Sequence, residues 1–281
     1  MVRDLEAIIY EYPNDIEAKA FLAVWIWQSA REGLPINSHG AVTSLIEDVL
    51  DVEPMHPCHH FRIHLWDNEK PARALASAAR CGQGSSGIAH MWHMPGHIYS
   101  KLKRYHDSAW QQEASARVDH AHMMRDRVLP DQIHNFAHNN EWLTRNLNHL
   151  GRANDAWRSP RNMIELPRHP KYNSLAKPDA PTEYGKRGSA RYGRTRLLET
   201  LLRYEMWDEI ISASKDRLSR ENHHPRGTSQ ALGRRWYGAL RAWPRGKRHR
   251  DPGPKARRTQ AAPRGHEARS RGQGRCGRPQ R

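Results

Sequence analysis

Histidine is the residue type in this chain with the most chemistry to offer. Twelve of the 19 histidines fall between His56 and His138, less than a third of the 281 residues. His60 and His64 are four apart, as are His93 and His97, while His134, His138 and Glu141 follow at i, i+4 and i+7. On a helix each such set shares one face. Two imidazoles one turn apart can hold a single metal ion, and a carboxylate one turn further on completes a two-histidine, one-carboxylate set. Neutral imidazole suits Zn, Cu, Ni or Fe(II), so His60, His64, His93, His97, His134, His138 and Glu141 are candidate ligands for a divalent metal. The same rings can serve without metal as general acids and bases near neutral pH. They can also cap helices and hydrogen-bond to Asn135, Asn139 and Asn140, shaping a polar groove. His134 is followed by Asn135, so the His-Glu-x-x-His pattern of zinc proteases is absent.

Other residues offer less. His120 and His122, two apart, fall on different sides of a helix and read as solvated. Cys58, beside His59 and His60, is a candidate ligand or thiol whose commoner role is that of a small buried side chain. Gly82 to Gly87 is glycine-rich but lacks the following Lys-Ser/Thr of a phosphate loop, and reads as a turn between helices. The tryptophans read as core fillers, with Trp92 also able to wall a pocket.

Helices must position these residues, and the chain predicts little else. Asn14 or Asp15 is placed to cap a helix that runs on to Gly33. Val42, Leu45, Ile46, Val49 and Leu50 mark one buried helical face. Further helical units are expected over 59–66, 71–81, 96–103, 105–127, 131–150, 152–165, 189–204 and 207–220, with Pro95 opening the one that carries His97. No stretch shows the alternation of a strand, and residues 167–188, rich in proline and glycine, read as the longest non-helical piece.

Charge divides the chain in two. Residues 225–281 hold 17 of the 46 Lys and Arg but two of the 30 acids, which leaves residues 1–224 with 29 basic and 28 acidic groups. The neutral part is the expected folded domain. The basic part is dominated by Arg, Gly, Pro, Ala and Gln, cannot bury enough apolar surface to fold, and is expected to be a disordered tail. It reads as a frameshifted product, a solvated tail or an arginine-rich arm, and nucleic acid is a partner only through it. The longest apolar run, Phe21 to Trp27, is far short of the roughly 20 residues a membrane span needs. The first residues lack a basic, then apolar, secretory signal, and the three cysteines are odd in number and far apart, so a reduced cytoplasmic setting is expected.

Three stretches share a pattern: Leu102-Lys103-Arg104-Tyr105, Leu150-Gly151-Arg152-Ala153 and Arg203-Tyr204-Glu205-Met206-Trp207 each join a helix end, a tight turn and a new helix with an acid in its first turn. Residues 68–75 form a weaker copy. These units resemble the tetratricopeptide-repeat family, although they lie 35 to 55 residues apart where the family repeats at about 34. The resemblance implies an all-α superhelix of helix pairs, an α-solenoid, over about residues 5–220, with a concave face for a ligand. The run His90-Met91-Trp92-His93-Met94-Pro95-Gly96-His97-Ile98-Tyr99 resembles a signature of a bacterial, planctomycete-rich group of such proteins. Some members of that group are joined to thioredoxin- or peroxiredoxin-like domains, which implies a thioredoxin-like partner domain; this chain has no Cys-x-x-Cys of its own. The expected function is therefore a scaffold that binds a peptide or partner domain in a groove lined by His60, His64, His90, His93, His97, Tyr99, His134, Asn135, His138 and Asn139. Arg125, Arg127 and Arg145 would add polar contacts. The alternative is a metal-dependent or acid/base enzyme using the histidines of that groove.

Overall fold

The computed structural model describes residues 1–169 and 188–215. Most of the expected non-helical piece at 167–188, the last residues of the helix expected to reach 220, and the whole basic segment 225–281 lie outside the described residues. Those described form eleven α-helices and no strand: α1 (Val2–Glu11), α2 (Ile16–Arg31), α3 (His39–Val52), α4 (His59–Trp66), α5 (Leu75–Gly84), α6 (Ala89–Lys101), α7 (Tyr105–Asp126), α8 (His134–His149), α9 (Ala153–Glu165), α10 (Ser189–Arg203) and α11 (Trp207–Lys215). Short 3₁₀ turns at Pro71–Ala74 and Pro130–Gln132 lead into α5 and α8. Each helix packs mainly on its neighbours in the chain, and α10 reaches back to both α8 and α9. None of the described helices is long and apolar enough to cross a membrane.

Local chemistry starts these helices, at Asp15 where the sequence predicts a cap and at Ser38, where it marks only the later face from Val42. The Asp15 carboxylate accepts the Ala18 N–H at 2.9 Å, and Ser38 Oγ accepts the Ala41 N–H at 3.1 Å, each taking up one of the orphan donors of a first turn. Two expectations need correction. Helix α6 begins at Ala89, so Pro95 lies inside it. Gly82 and Gly84 belong to α5 because close packing demands them: a Cβ on Gly82 would strike the Trp92 ring, and one on Gly84 the Met55 carbonyl.

The recurring turn has a physical basis. In all three copies the second residue after the helix is left-handed: Lys103 at φ 60°, Gly151 at φ 72° and Glu205 at φ 53°. The next N–H then bonds five residues back, Arg104 to Tyr99, Arg152 to Leu147 and Met206 to Leu201, at 2.8 to 3.0 Å. This is the Schellman closure of a helix C-terminus, which glycine fills most easily. Gly33, at φ 101°, makes the same closure through Leu34 and Ser29. Lys103→Gly is accordingly expected to raise stability by about 0.5–1 kcal/mol, read as a higher urea midpoint. An unchanged or lower midpoint would show that the turn carries no backbone strain.

Of three apolar clusters among the described residues, the smallest joins Leu5 of α1 to Ala18 and Leu22 of α2, and two others flank a polar middle. Val42, Ile46, Val49, Cys58, Ile63, Trp66, Met91, Met94 and Ile98 form the larger, and Leu197, Leu198, Leu201 and Ile210 the smaller. Between them α7 and α8 bury Ser108, Gln111, Gln112, Ser115, Asp119, Asn139, Glu141, Thr144, Asn146 and Asn148. Asp119 accepts the Asn139 side-chain N–H at 2.8 Å across this seam, and burial pushes its carboxyl up to about 6 against the pull of His122 and that bond. A carboxyl raised in the fold supports stability below its unfolded value near 4 and loses that support as pH climbs through about 6. Buried histidines work in the opposite sense, so the variant isolates the carboxyl. From pH 4 to pH 7 Asp119→Asn is expected to gain, relative to the parent, up to about 3 kcal/mol in urea unfolding. Parallel pH curves for the two proteins would refute it.

Candidate metal centre

Seven imidazoles from α4, α6 and α8 meet in one row. Helix α4 brings His60 and His64, α8 brings His134 and His138, and α6 between them brings His90, His93 and His97 at i, i+3 and i+7. Ring centroids are 4.5 Å apart for His60 and His64, 4.9 Å for His60 and His90, 5.8 Å for His90 and His93, and 4.6 Å for both His93–His97 and His93–His138. The row resolves into two triads, His93 with His97 and His138, and His60 with His64 and His90. In each, one ring nitrogen per residue lies within 4.8 Å of the other two.

Outer partners set the protons of the first triad. Gln112 donates its Nε2–H to the His93 carbonyl at 3.1 Å, which turns its Oε1 toward His93 Nδ1 at 2.6 Å. That oxygen only accepts, so Nδ1 carries the hydrogen. Burial, with His97 and His138 nearby, drives His93 far below its usual range, so the ring is neutral and its Nε2 is a bare lone pair. Glu141 Oε1 lies 3.1 Å from His138 Nδ1 and orients that ring in the same sense, while Asp67 Oδ2 stands 3.7 Å from His97 Nδ1, near it but beyond hydrogen-bond reach. His93 Nε2 then faces His97 Nε2 at 2.7 Å. With the His93 Nδ1–H given to Gln112, either the His97 Nε2–H donates to the His93 lone pair at that distance or a metal ion takes both lone pairs. Nitrogens bound to one tetrahedral Zn²⁺ stand about 3.3 Å apart, which small ring rotations reach from here.

The seam between α6 and α7 keeps His93 in place. Ser108, Gln112 and Ser115, one above another on α7, donate to the carbonyls of Gly96, His93 and Ala89 at 2.7, 3.1 and 2.6 Å. Gly96 lets the helices close this far, since a Cβ there would collide with the Gln112 amide. Gly96→Ala is expected to displace Gln112 and weaken metal binding by about 10–100-fold, the usual cost of losing an outer partner of a ligating histidine. Unchanged affinity in a chelator competition would show that Gln112 does not orient the ring.

Both carboxylates beside the triad are already neutralised. Lys101 Nζ meets Asp67 at 2.8 Å, and the Arg196 guanidinium, reaching in from α10, meets Glu141 Oε2 at 2.5 and 2.8 Å. Burial alone would raise both carboxyls. His97 and Lys101 beside Asp67, and the His138 bond and Arg196 charge on Glu141, outweigh it and hold both below the usual range. Trp142 lies against His97, with ring centroids 4.2 Å apart.

The second triad has apolar surroundings. His64 stacks on Trp27 at 4.4 Å, and His60 lies beside Phe61 at 5.2 Å. His60 Nε2 is buried with no hydrogen-bond partner. Burial, with the neighbouring histidines adding to it, pushes His60 down to about 3 and His64 to about 4, and lowers His90 as well. All three are neutral at physiological pH.

Several expected site residues are placed elsewhere. Glu141 orients His138 and pairs with Arg196, so it stands behind the ligands. His134 stacks on His138 at 5.5 Å but joins neither triad, while His90, expected only as a groove residue, completes one. Tyr99 is 6% exposed and packs in the larger core under the Arg104 guanidinium, and the Asn139 amide is committed to Asp119. Asn135 is half-buried in the first turn of α8. Arg125 and Arg127 are exposed at the end of α7, where Arg125 pairs with Asp126; Arg145 covers the Trp142 ring. His59 bonds Ser77 and the Pro54 carbonyl, and burial pushes the Cys58 thiol up to about 12, so neither serves the site. Trp92, half-buried, packs on Gly82 and Trp110 and donates to the Ser86 carbonyl. Asp67, Gln112, Trp142 and Arg196 are the functional neighbours the sequence did not suggest; each lies far along the chain from the ring it serves or is of a type common in structural roles. Compared with protein-family models, curated proteins and solved structures, the chain finds no match.

Proposed function

We propose that this chain is a tetratricopeptide-like helical-repeat protein whose inner groove is a transition-metal centre, and that it acts as a metal-dependent catalyst. The observation that carries the reading is the first triad. The His93 Nδ1 is committed to an amide oxygen, those of His97 and His138 face carboxylates, and the opposed nitrogens converge. That is the arrangement in which outer acceptors prepare imidazoles as ligands. Three imidazole nitrogens suit Zn, Cu, Ni or Fe(II) and leave a coordination position for a further ligand. A metal held there supplies Lewis acidity toward an oxygen-bearing substrate. The protein's own part is to hold His93 and His138 in one tautomer through Gln112 and Glu141, and to limit water with Trp142 and the buried His93 side.

The scaffold reading, with a peptide or a thioredoxin-like domain in this groove, draws on the repeat pattern and on the family resemblance. It is less well supported, because a peptide groove presents its polar groups to the ligand whereas these imidazoles face one another. Elemental mass spectrometry of the purified full chain separates the two. Near-stoichiometric Zn, Fe, Cu or Ni that is lost in a His93→Gln/His138→Gln variant is the expected result. Absence of metal, with no uptake on incubation with Zn²⁺, would replace the catalyst by the scaffold.

A further inference from the structure

Of the four histidines in the row that this centre does not use, His60, His64 and His90 converge. His60 and His64 sit one turn apart on α4, and His90, the first of the three groove histidines on α6, turns toward them. One nitrogen from each lies within 4.8 Å of the others. No carboxylate, amide or carbonyl oxygen is bonded to any of the three among the described residues, and His60 Nε2 is buried with nothing to receive or supply a proton. A buried orphan of this kind is destabilising unless something satisfies it. A metal ion, which coordinates lone pairs and needs no proton, satisfies all three at once.

We infer that His60, His64 and His90 form a second metal site in the same groove, so that two ions lie side by side with an anionic ligand between or across them. Helix α6 is what joins the two sites. His90 serves one and His93 the other, and their rings stack at 5.8 Å with an interplanar angle of 20°. The anion follows from charge. Six neutral imidazoles around two divalent ions leave four positive charges in the groove. The two carboxylates nearby, Asp67 and Glu141, are each already paired with a cation, Lys101 and Arg196. Arg196 also meets Glu199 at 2.5 Å, so these neighbours offset at most one of the four charges; a ligand from outside must balance the rest, and a small oxyanion such as phosphate or a carboxylate fits that need. The second site uses none of the first triad's ligands. It deepens the reading of the groove as a metal centre by naming its stoichiometry and substrate class.

The experiment is metal stoichiometry on the full chain, loaded with Zn²⁺ and dialysed against a weak chelator, with a variant carrying Gln at His60, His64, His93 and His97 as the blank for adventitious sites. Two ions above the blank are expected in the parent, falling to one in His60→Gln/His64→Gln and to one in His93→Gln/His97→Gln. A single ion unaffected by His60→Gln/His64→Gln overturns the second site and leaves the first. A single ion unaffected by His93→Gln/His97→Gln overturns the first reading and leaves the second. No ion above the blank overturns both. If a variant loses helicity, Co²⁺ titration of the parent decides the count: absorbance that saturates at one equivalent overturns the pair, and saturation at two supports it. For the anion, inorganic phosphate is expected to bind the Zn²⁺-loaded parent in isothermal titration and not the metal-free protein. No heat with either form, or equal heat with both, overturns the charge argument.

Discussion

His93→Gln is expected to weaken metal binding in the first triad by at least about 100-fold, more than the cost of losing an outer partner alone. His93 is 1% exposed and at the centre of the row, with Gln112 on one nitrogen and His97 on the other. Glutamine is shorter and offers no second nitrogen in the imidazole position, so the ion loses one of three donors and Gln112 loses its ring. Competition with a chromogenic chelator measures the effect. His106→Gln, an exposed histidine on α7, is the control and should change nothing. Similar affinities for both variants would remove His93 from the centre.

Arg196→Met is expected to cost about 3 kcal/mol of folding stability, because it strands a buried carboxylate. Glu141 is 7% exposed, and Arg196 supplies two of its hydrogen bonds from a helix 55 residues away. Removing both charges together should cost much less, since the penalty comes from the unpaired partner rather than from lost attraction. Urea unfolding of Arg196→Met, Glu141→Gln and the double variant forms the cycle. A double variant whose cost is the sum of the two single costs would show that the pair is not coupled. The same bond ties α10 to His138 through Glu141, so a part of the chain far from the histidine-rich segment helps to aim one of its ligands.

Much of the candidate site is legible in short-range pattern. His60 with His64, His93 with His97 and His134 with His138 share faces because helical geometry returns the chain every 3.6 residues, and no tertiary information is needed to see it. The helix starts at Asp15 and Ser38, and the left-handed closures at Lys103, Gly151 and Glu205, are local for the same reason: the groups that bond lie within five residues. Proline shows where a local rule fails. Pro95 suggests a helix start, yet α6 runs through it from Ala89, because α7 side chains bond its carbonyls and its face is buried against the core. That support comes from a neighbouring helix and leaves no mark near Pro95 itself.

The grouping of the histidines was beyond any such pattern. Spacing makes His134 and His138 equal partners and Glu141 a ligand, but packing gives His138 to α6, leaves His134 aside and turns Glu141 to Arg196. His90 shows no pairing within four residues that spacing would pick out over His93, and only the approach of α4 makes it the third member of a triad. Residue order thus decided which rings share a helix face, since that depends on backbone period alone. Which faces meet, which nitrogen of each ring is left bare, and which carboxylates are already neutralised depend on helices that close over one another across 19 to 55 residues, and those were decided by the tertiary structure.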